Sequence, residues 1–299
     1  MSGRKAKGDS VAAVSGRGAD PPPPTSGWIQ KGFHTFLGPY LRRHFHCIGI
    51  HESSYDPTSE ATAGPTGDGA LGGPVIIYTN HPAWWDPLIA HVLNAELFKP
   101  RQFYAPIDAE ALKQYRVFEK LGFYGINLGS TSGAAAFLRT SMSILRDESS
   151  ALWITPEGRF CDVRDHSAPL MPGLAHLCQK LGEESAAHGN RHGGRVIPMA
   201  LEYVFWEERL PACLVMFGQP LRPTECGDWD KPRWNNELSD RLRQTQRRLA
   251  EAAIGRDSSA FKPLIRGNVG AGGFYDTMRR FKSWMTRTTF RPGHGDHFK

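Results

Sequence analysis

From residue 75 onward the chain alternates between short β-branched or aromatic runs and longer stretches in which apolar residues recur every three or four positions. The pattern predicts strands at 75–79, 102–107, 123–127, 151–155, 196–203 and 213–217, with helices at 87–97 and 132–146. Asp108 stands where an N-cap belongs, Leu112, Tyr115, Phe118 and Leu121 share one stripe, and Gly122 follows as a stop, so one helix is predicted between Asp108 and Gly122. Further on, Leu238, Leu242 and Leu249 mark another helical stripe, Arg241, Arg243, Arg247 and Arg248 supply a basic exterior, and Gly255 ends the pattern. Alternation of this kind predicts an α/β fold, a three-layer α/β/α domain with a mostly parallel mixed sheet, preceded by an N-terminal amphipathic helical segment.

Composition shifts divide the chain. Residues 1–26 are rich in Gly, Ser, Ala and Pro with almost no large apolar side chain, so burial cannot offset their ordering entropy and a disordered tail is expected. Residues 27–52 bring Trp28, Phe33, Phe36, Leu37, Tyr40 and Leu41 at near-helical spacing beside Lys31, Arg42 and Arg43, an amphipathic, membrane-proximal segment with a strand near 45–50. Residues 53–74 read as a flexible loop, 75–260 as the α/β domain, and 261–299 as a second amphipathic segment, in which Phe274, Met278, Phe281 and Trp284 interleave with Arg279, Arg280 and Lys282. Each terminal segment suits a membrane surface, and equally suits docking of the same face onto the domain.

Composition narrows the class. In 299 residues, 40% hydrophobic and 22% charged describe an ordinary globular chain. No apolar run approaches the roughly 20 residues needed to span a bilayer. The basic residues Arg4, Lys5 and Lys7 are not followed by an apolar run, so no secretory signal is read and a cytoplasmic location is expected. The five cysteines, Cys47, Cys161, Cys178, Cys213 and Cys226, contain no C-x-x-C pair and read as reduced thiols rather than a disulfide framework or zinc site. A net charge of +6 favours an anionic partner without choosing among nucleic acid, an anionic membrane face and a coenzyme-type substrate.

The chemistry concentrates in Asn80-His81-Pro82-Ala83-Trp84-Trp85-Asp86-Pro87, placed after the 75–79 strand, where open α/β sheets bind their ligands. A neutral imidazole takes a proton from an alcohol near neutral pH, and a carboxylate on its other nitrogen fixes the tautomer. Residues five apart are about 140° apart on a helix, so His81 and Asp86 meet only if a turn separates them, and Pro82 and Pro87 allow one. A histidine capping the next helix with an aspartate in its first turn accounts for the spacing equally well. No second His/Asp/Glu cluster stands close by to suggest a metal.

Asn-His followed by four residues and Asp resembles the signature of the glycerolipid acyltransferases. Downstream, Ile154-Thr155-Pro156-Glu157-Gly158-Arg159 resembles that family's Pro-Glu-Gly block, and Val196-Ile197-Pro198-Met199-Ala200 its final strand motif, so three blocks fall in order across about residues 75–220. The resemblance implies a peripheral enzyme on the inner face of the membrane that moves a fatty acyl group from acyl-CoA or acyl-ACP to a lipid hydroxyl, with His81 as base and Asp86 orienting it. The thioester is a co-substrate and no bound cofactor or metal is implied; the partners implied are the donor, acyl carrier protein included, the lipid acceptor and the membrane. The resemblance further implies that Glu157, Gly158 and Arg159 bind the acceptor headgroup. Gly lets backbone approach and guanidinium pairs with phosphate, although a strand-leaving turn with Arg159 paired locally fits the same residues. Asn80, Trp84, Trp85, Ser130, Thr131 and Pro198 complete the candidate substrate site, with core packing open as a role for the tryptophans and helix capping for Ser130 and Thr131.

The chain also departs from that pattern. The family's block has one residue between Gly and Arg and a Phe where Thr155 stands, and its middle motif carries an Arg shortly after Gly and Phe, where this chain reads Gly129-Ser130-Thr131-Ser132-Gly133 with Arg139 further on. An acceptor other than lysophosphatidate follows as an expectation: a glycolipid, another lysophospholipid or a different hydroxylated lipid. Nucleic-acid binding would explain the charge and nothing else, so no nucleic acid is expected. A thioesterase or lipid esterase would use water at the same pair, with no G-x-S-x-G elbow to support a serine mechanism. A lipid-binding protein without catalysis would not need His81 and Asp86 together.

Overall fold

A computed structural model describes residues 22–58, 72–187 and 194–268. In chain order the elements are α1 (Gly27–His44), β1 (Cys47–His51), β2 (Val75–Thr79), α2 (Asp86–Leu97), β3 (Gln102–Asp108), α3 (Ala109–Gln114), α4 (Val117–Leu121), β4 (Phe123–Ile126), α5 (Thr131–Leu145), β5 (Ser150–Ile154), α6 (Gly173–Ala187), β6 (Arg195–Val204), β7 (Ala212–Phe217), α7 (Lys231–Gly255) and β8 (Phe261–Arg266). The strands form one eight-stranded sheet in the order β4-β3-β5-β2-β6-β7-β1-β8. The first five are mutually parallel, β7 reverses against β6, β1 runs parallel to β7, and β8 is antiparallel to β1. The expected mixed, mostly parallel α/β architecture is therefore present.

Strand alternation builds the three layers. Val75 and Ile77 of β2 join a core with Leu37 and Leu41 of α1 and Ile89 and Leu93 of α2. Ile76 and Tyr78 point the other way, to Leu174 and Leu177 of α6 and Leu238 and Leu242 of α7. Both faces are covered, which is why β2 reads as an unbroken apolar run: all five residues are buried. Each large aliphatic side chain removed from water contributes about 1.5–3 kcal/mol before entropy is counted.

The apolar stripe of α1 is used for docking. Leu37 and Leu41 are buried, the Ser26 hydroxyl caps the helix from Ile29 N–H at 3.5 Å, and Ser26 N–H donates to the Lys120 carbonyl at 3.0 Å. Trp28 and Phe36, from the same segment, stay exposed. The Cys47–His51 strand near the end of that segment lies inside the sheet between β7 and β8. Residues 1–21 of the expected tail, 59–71 of the expected loop, and 269–299, with Phe274, Met278, Phe281 and Trp284, lie outside the described residues.

The single helix expected between Asp108 and Gly122 is two. Asp108 caps α3 as expected, accepting from Glu110 N–H, but Tyr115 leaves the helical region at φ −127° and ψ 64° before α4 begins. The break leaves Tyr115 exposed while Leu112 and Leu121 stay buried, so stripe spacing alone overstated its continuity. Gly122 ends α4 at φ +105°, where a Cβ would collide with the Phe103 carbonyl oxygen; only glycine lets the chain turn so directly against β3. Two elements were not foreseen. Helix α6 has a weak local pattern, and β8 carries Pro263, which is tolerated because β8 is an edge strand whose register with β1 shifts at Ile48 and Gly49. All five cysteines are buried and unpaired. Among the described residues no helix is long and apolar enough to cross a membrane.

Candidate active site

The chain leaves β2 through Asn80, whose buried side chain clamps the neighbouring strand. Its Nδ2 donates to the Leu201 carbonyl at 2.9 Å and its Oδ1 accepts from Leu201 N–H at 2.8 Å. His81 follows at the carboxyl end of the parallel strands, and the chain bends through Pro82–Trp85 before α2 opens at Asp86 with Pro87 in its first turn. His81 therefore precedes the helix, and the turn required by the spacing exists. His81 Nδ1 lies 2.6 Å from Asp86 Oδ2. A carboxylate accepts hydrogen bonds, so in the neutral imidazole it is Nδ1 that carries the proton and Nε2 that keeps the lone pair.

Asp86 is itself held from two sides. Ala83 N–H donates to Oδ2 at 3.1 Å, and the Tyr203 hydroxyl, at the far end of β6, donates to Oδ1 at 2.6 Å. Burial pushes the Tyr203 phenol well above its ordinary pKa, with Cys213 and the Asp86 charge adding to the effect, so it stays a donor. The carboxylate is 2% exposed and the imidazole 18%, a buried anion behind a partly accessible ring.

A second anchor fixes the His81 backbone. After β5, Glu157 Oε2 accepts from His81 N–H at 3.2 Å, and Arg243 of α7 donates to Glu157 Oε1 at 2.7 Å. Arg243 also donates to Gln246 Oε1 at 2.6 Å and to the Ala168 carbonyl at 2.5 Å. The two ionic side chains are only 1% and 5% exposed. Arg243, expected on the solvated exterior of its helix, is instead a buried ion-pair partner, and the Glu157 carboxylate faces the protein rather than the cavity.

The pair opens on a cavity of about 740 Å³. Its walls come from the loops that follow β2, β3, β4 and β5 and from the Met171–Leu174 stretch that leads into α6. Deep in it lie Phe103, Ala105, Phe123, Phe137 and Leu174, all buried. Trp84, Leu128, Phe160 and Met171 line it while remaining exposed. The Phe160 ring sits 4.3 Å from the His81 ring at 37°. Gly158, at φ +66°, holds the loop carrying Arg159 and Phe160; its missing Cβ leaves room for Met171 Sδ.

The residues singled out in the sequence are thus distributed unevenly. His81, Asp86, Trp84, Ser130, Thr131, Gly158 and Arg159 meet at the cavity. Asn80, Trp85, Glu157 and Pro198 do not line it. Trp85 stacks on Trp84 at 4.2 Å and packs edge-on to Phe45, with its back to α1. Pro198 is buried in β6, opposite Tyr78. Ser130 caps α5, accepting from Gly133 N–H at 3.0 Å. Tyr203, Arg243 and Phe160 were missed. Tyr203 carried only a strand signal and Arg243 only a helical one; in the structure Thr245 and Gln246 are buried with Arg243 on α7. Among the described residues no group of three or more His, Cys, Asp or Glu side chains is placed to hold a metal ion.

Fold and site together define an α/β protein with a carboxylate-oriented histidine at the carboxyl end of a largely parallel sheet, facing an apolar cavity. The acyltransferase family model matches residues 47–202, more than half of the chain, and the protein belongs to that family, the glycerolipid acyltransferases. It is an acyltransferase. A search of the curated proteins found no match.

Proposed function

We propose that the protein transfers a fatty acyl group from an acyl thioester, acyl-coenzyme A or acyl carrier protein, to the hydroxyl of a lysophospholipid or other lipid acceptor. The observation that carries this reading is the 2.6 Å contact between His81 Nδ1 and Asp86 at the wall of the apolar cavity. His81 Nε2 takes the proton of the acceptor hydroxyl as its oxygen attacks the thioester carbonyl carbon. The new C–O bond forms, the C–S bond breaks, and the departing thiolate takes the proton from the imidazolium. Asp86 stabilises that imidazolium while Tyr203 and the Ala83 amide keep the carboxylate aimed. No acyl-enzyme and no bound cofactor enter this scheme. The cavity of about 740 Å³, lined by Phe103, Phe123 and Phe137, has the apolar character an acyl chain requires.

A lipid acceptor brings the protein to a membrane. Trp28, Phe36 and Trp84 are exposed, and Lys31, Arg42 and Arg43 lie exposed on α1, a combination suited to peripheral contact with the anionic inner face. The test is thiol release from acyl-coenzyme A, and from an acyl carrier protein thioester, by purified protein with a panel of hydroxylated lipids. Lipid-stimulated release that falls roughly 100- to 10,000-fold in His81→Ala is expected. Release that ignores the lipid, yields free fatty acid, or survives the substitution would refute the reading.

A further inference from the structure

The charges lining the cavity bear on which hydroxyl it accepts. Among the described lining residues the ionic side chains besides His81 are Asp86, Asp108 and Arg159. Asp86 is committed to His81, Ala83 and Tyr203, so it offers nothing to a ligand. Arg159, exposed on the loop after β5, is the one cationic side chain among them, and Asp108, which caps α3 after β3, adds a negative one. A phosphate monoester brings a charge of about −1.5 to −2, and an anion drawn from water into an apolar cavity must meet matching donors or stay outside. One exposed guanidinium in a lining that also holds a carboxylate does not match it.

Position sharpens the point. In a lysophosphatidate the phosphate is carried on the carbon next to the one bearing the reacting hydroxyl, so bringing that hydroxyl to His81 brings the phosphate close as well. The space beside the imidazole is taken by the phenyl ring of Phe160 at 4.3 Å, an apolar face with no donor. The Thr131 hydroxyl at the start of α5 and the Asn127 amide on the loop after β4 supply polar groups without net charge, while the Ser130 hydroxyl is engaged in the α5 cap. Such a lining serves alcohol groups.

Resting on the acyl-transfer reading, we propose that the acceptor is an uncharged hydroxylated lipid, a monoacylglycerol or lipid alcohol, and that Phe160 beside His81 is a specificity residue that disfavours acceptors with a phosphate next to the reacting hydroxyl. Two measurements on the full chain separate this inference from the reading beneath it. Equilibrium binding to the His81→Ala protein, which needs no turnover, compares monodecanoylglycerol with the phosphate ester of the same molecule, both as monomers. The neutral lipid is expected to bind at least tenfold more tightly, about 1.4 kcal/mol. Phe160→Arg is expected to narrow or invert that ratio by strengthening the phosphate ester, with a smaller change for the neutral lipid. Equal binding in the parent protein, or preference for the phosphate ester, overturns the inference. Turnover of the wild type with both lipids and decanoyl-coenzyme A reports on the chemistry: His81-dependent transfer that favours the phosphate ester overturns the acceptor assignment and leaves the general-base reading standing. Tight neutral-lipid binding without turnover supports the assignment and counts against acyl transfer from that donor.

Discussion

Replacing Arg243 with methionine isolates the anchor beneath His81. The substitution keeps the volume of the side chain's stem but leaves the Glu157 carboxylate, 1% exposed, with the His81 amide and the adjacent Cys161 thiol as its remaining partners. Removing one member of a buried ion pair typically costs about 3–5 kcal/mol, because the other charge stays behind without compensation. For a domain of this size each kcal/mol corresponds to roughly 2–4 °C, so Tm is expected to fall by about 6–20 °C. The double variant Glu157→Gln/Arg243→Met removes both charges and retains an amide oxygen for His81 N–H, so it should recover most of the loss. Thermal unfolding followed by circular dichroism measures both, and thiol release by the folded variants reports whether His81 has moved. A single variant within about 1 kcal/mol of wild type, or a double variant no more stable than the single, would refute the assignment of Glu157 and Arg243 as a buried anchor.

Three further outcomes can be measured. Asp86→Asn keeps the shape but loses the negative charge that orients and stabilises the imidazolium, so kcat for acyl transfer should fall roughly 100-fold or more with little change in KM. Tyr203→Phe removes the 2.6 Å donor to Asp86 Oδ1; a hydrogen bond to a charged group contributes about 1.5–3 kcal/mol, so kcat should fall roughly tenfold or more, and an unchanged kcat would show that the phenol does not support the pair. His91, stacked on Phe103 at 3.8 Å, is buried and its pKa is pushed down to about 3, chiefly by desolvation and secondarily by His34. Its neutral form is the one that fits the fold, so it contributes stability above pH 6.5 that is lost progressively as pH falls toward 3. His91→Phe should flatten acid unfolding in that window, read as Tm against pH.

The architecture could be read from the sequence where burial is two-sided and turns are chemically marked. Runs such as Val75–Thr79 and the N-cap at Asp108 announce themselves because each has one local physical cause. The break at Tyr115 did not, since side-chain periodicity says which face is apolar and nothing about whether the backbone continues. The His81–Asp86 contact was one of two arrangements that the spacing and the prolines at 82 and 87 allowed, and it was open to a local reading because it is made within six residues of chain. The groups that hold them come from far along the chain: Glu157 is 76 positions from the His81 amide, Tyr203 is 117 from Asp86, and Arg243 is 86 from Glu157. Contacts of that span depend on strand order, and strand order is set by the whole sheet. An arginine on an amphipathic helix gives no local sign that its guanidinium will be buried against a loop 86 residues earlier.

That Arg243 closes the anchor has a temporal side. A chain grows from its N-terminus, so His81, Asp86 and Glu157 leave the ribosome well before α7 does. Until α7 arrives, a nascent chain folded up to β6 would hold the Glu157 carboxylate against an unfilled groove, and the loop bearing His81 would lack half of its support. Completion of the site is thereby deferred until α7 has been made: the residues at the cavity come first, and the helix that steadies them follows.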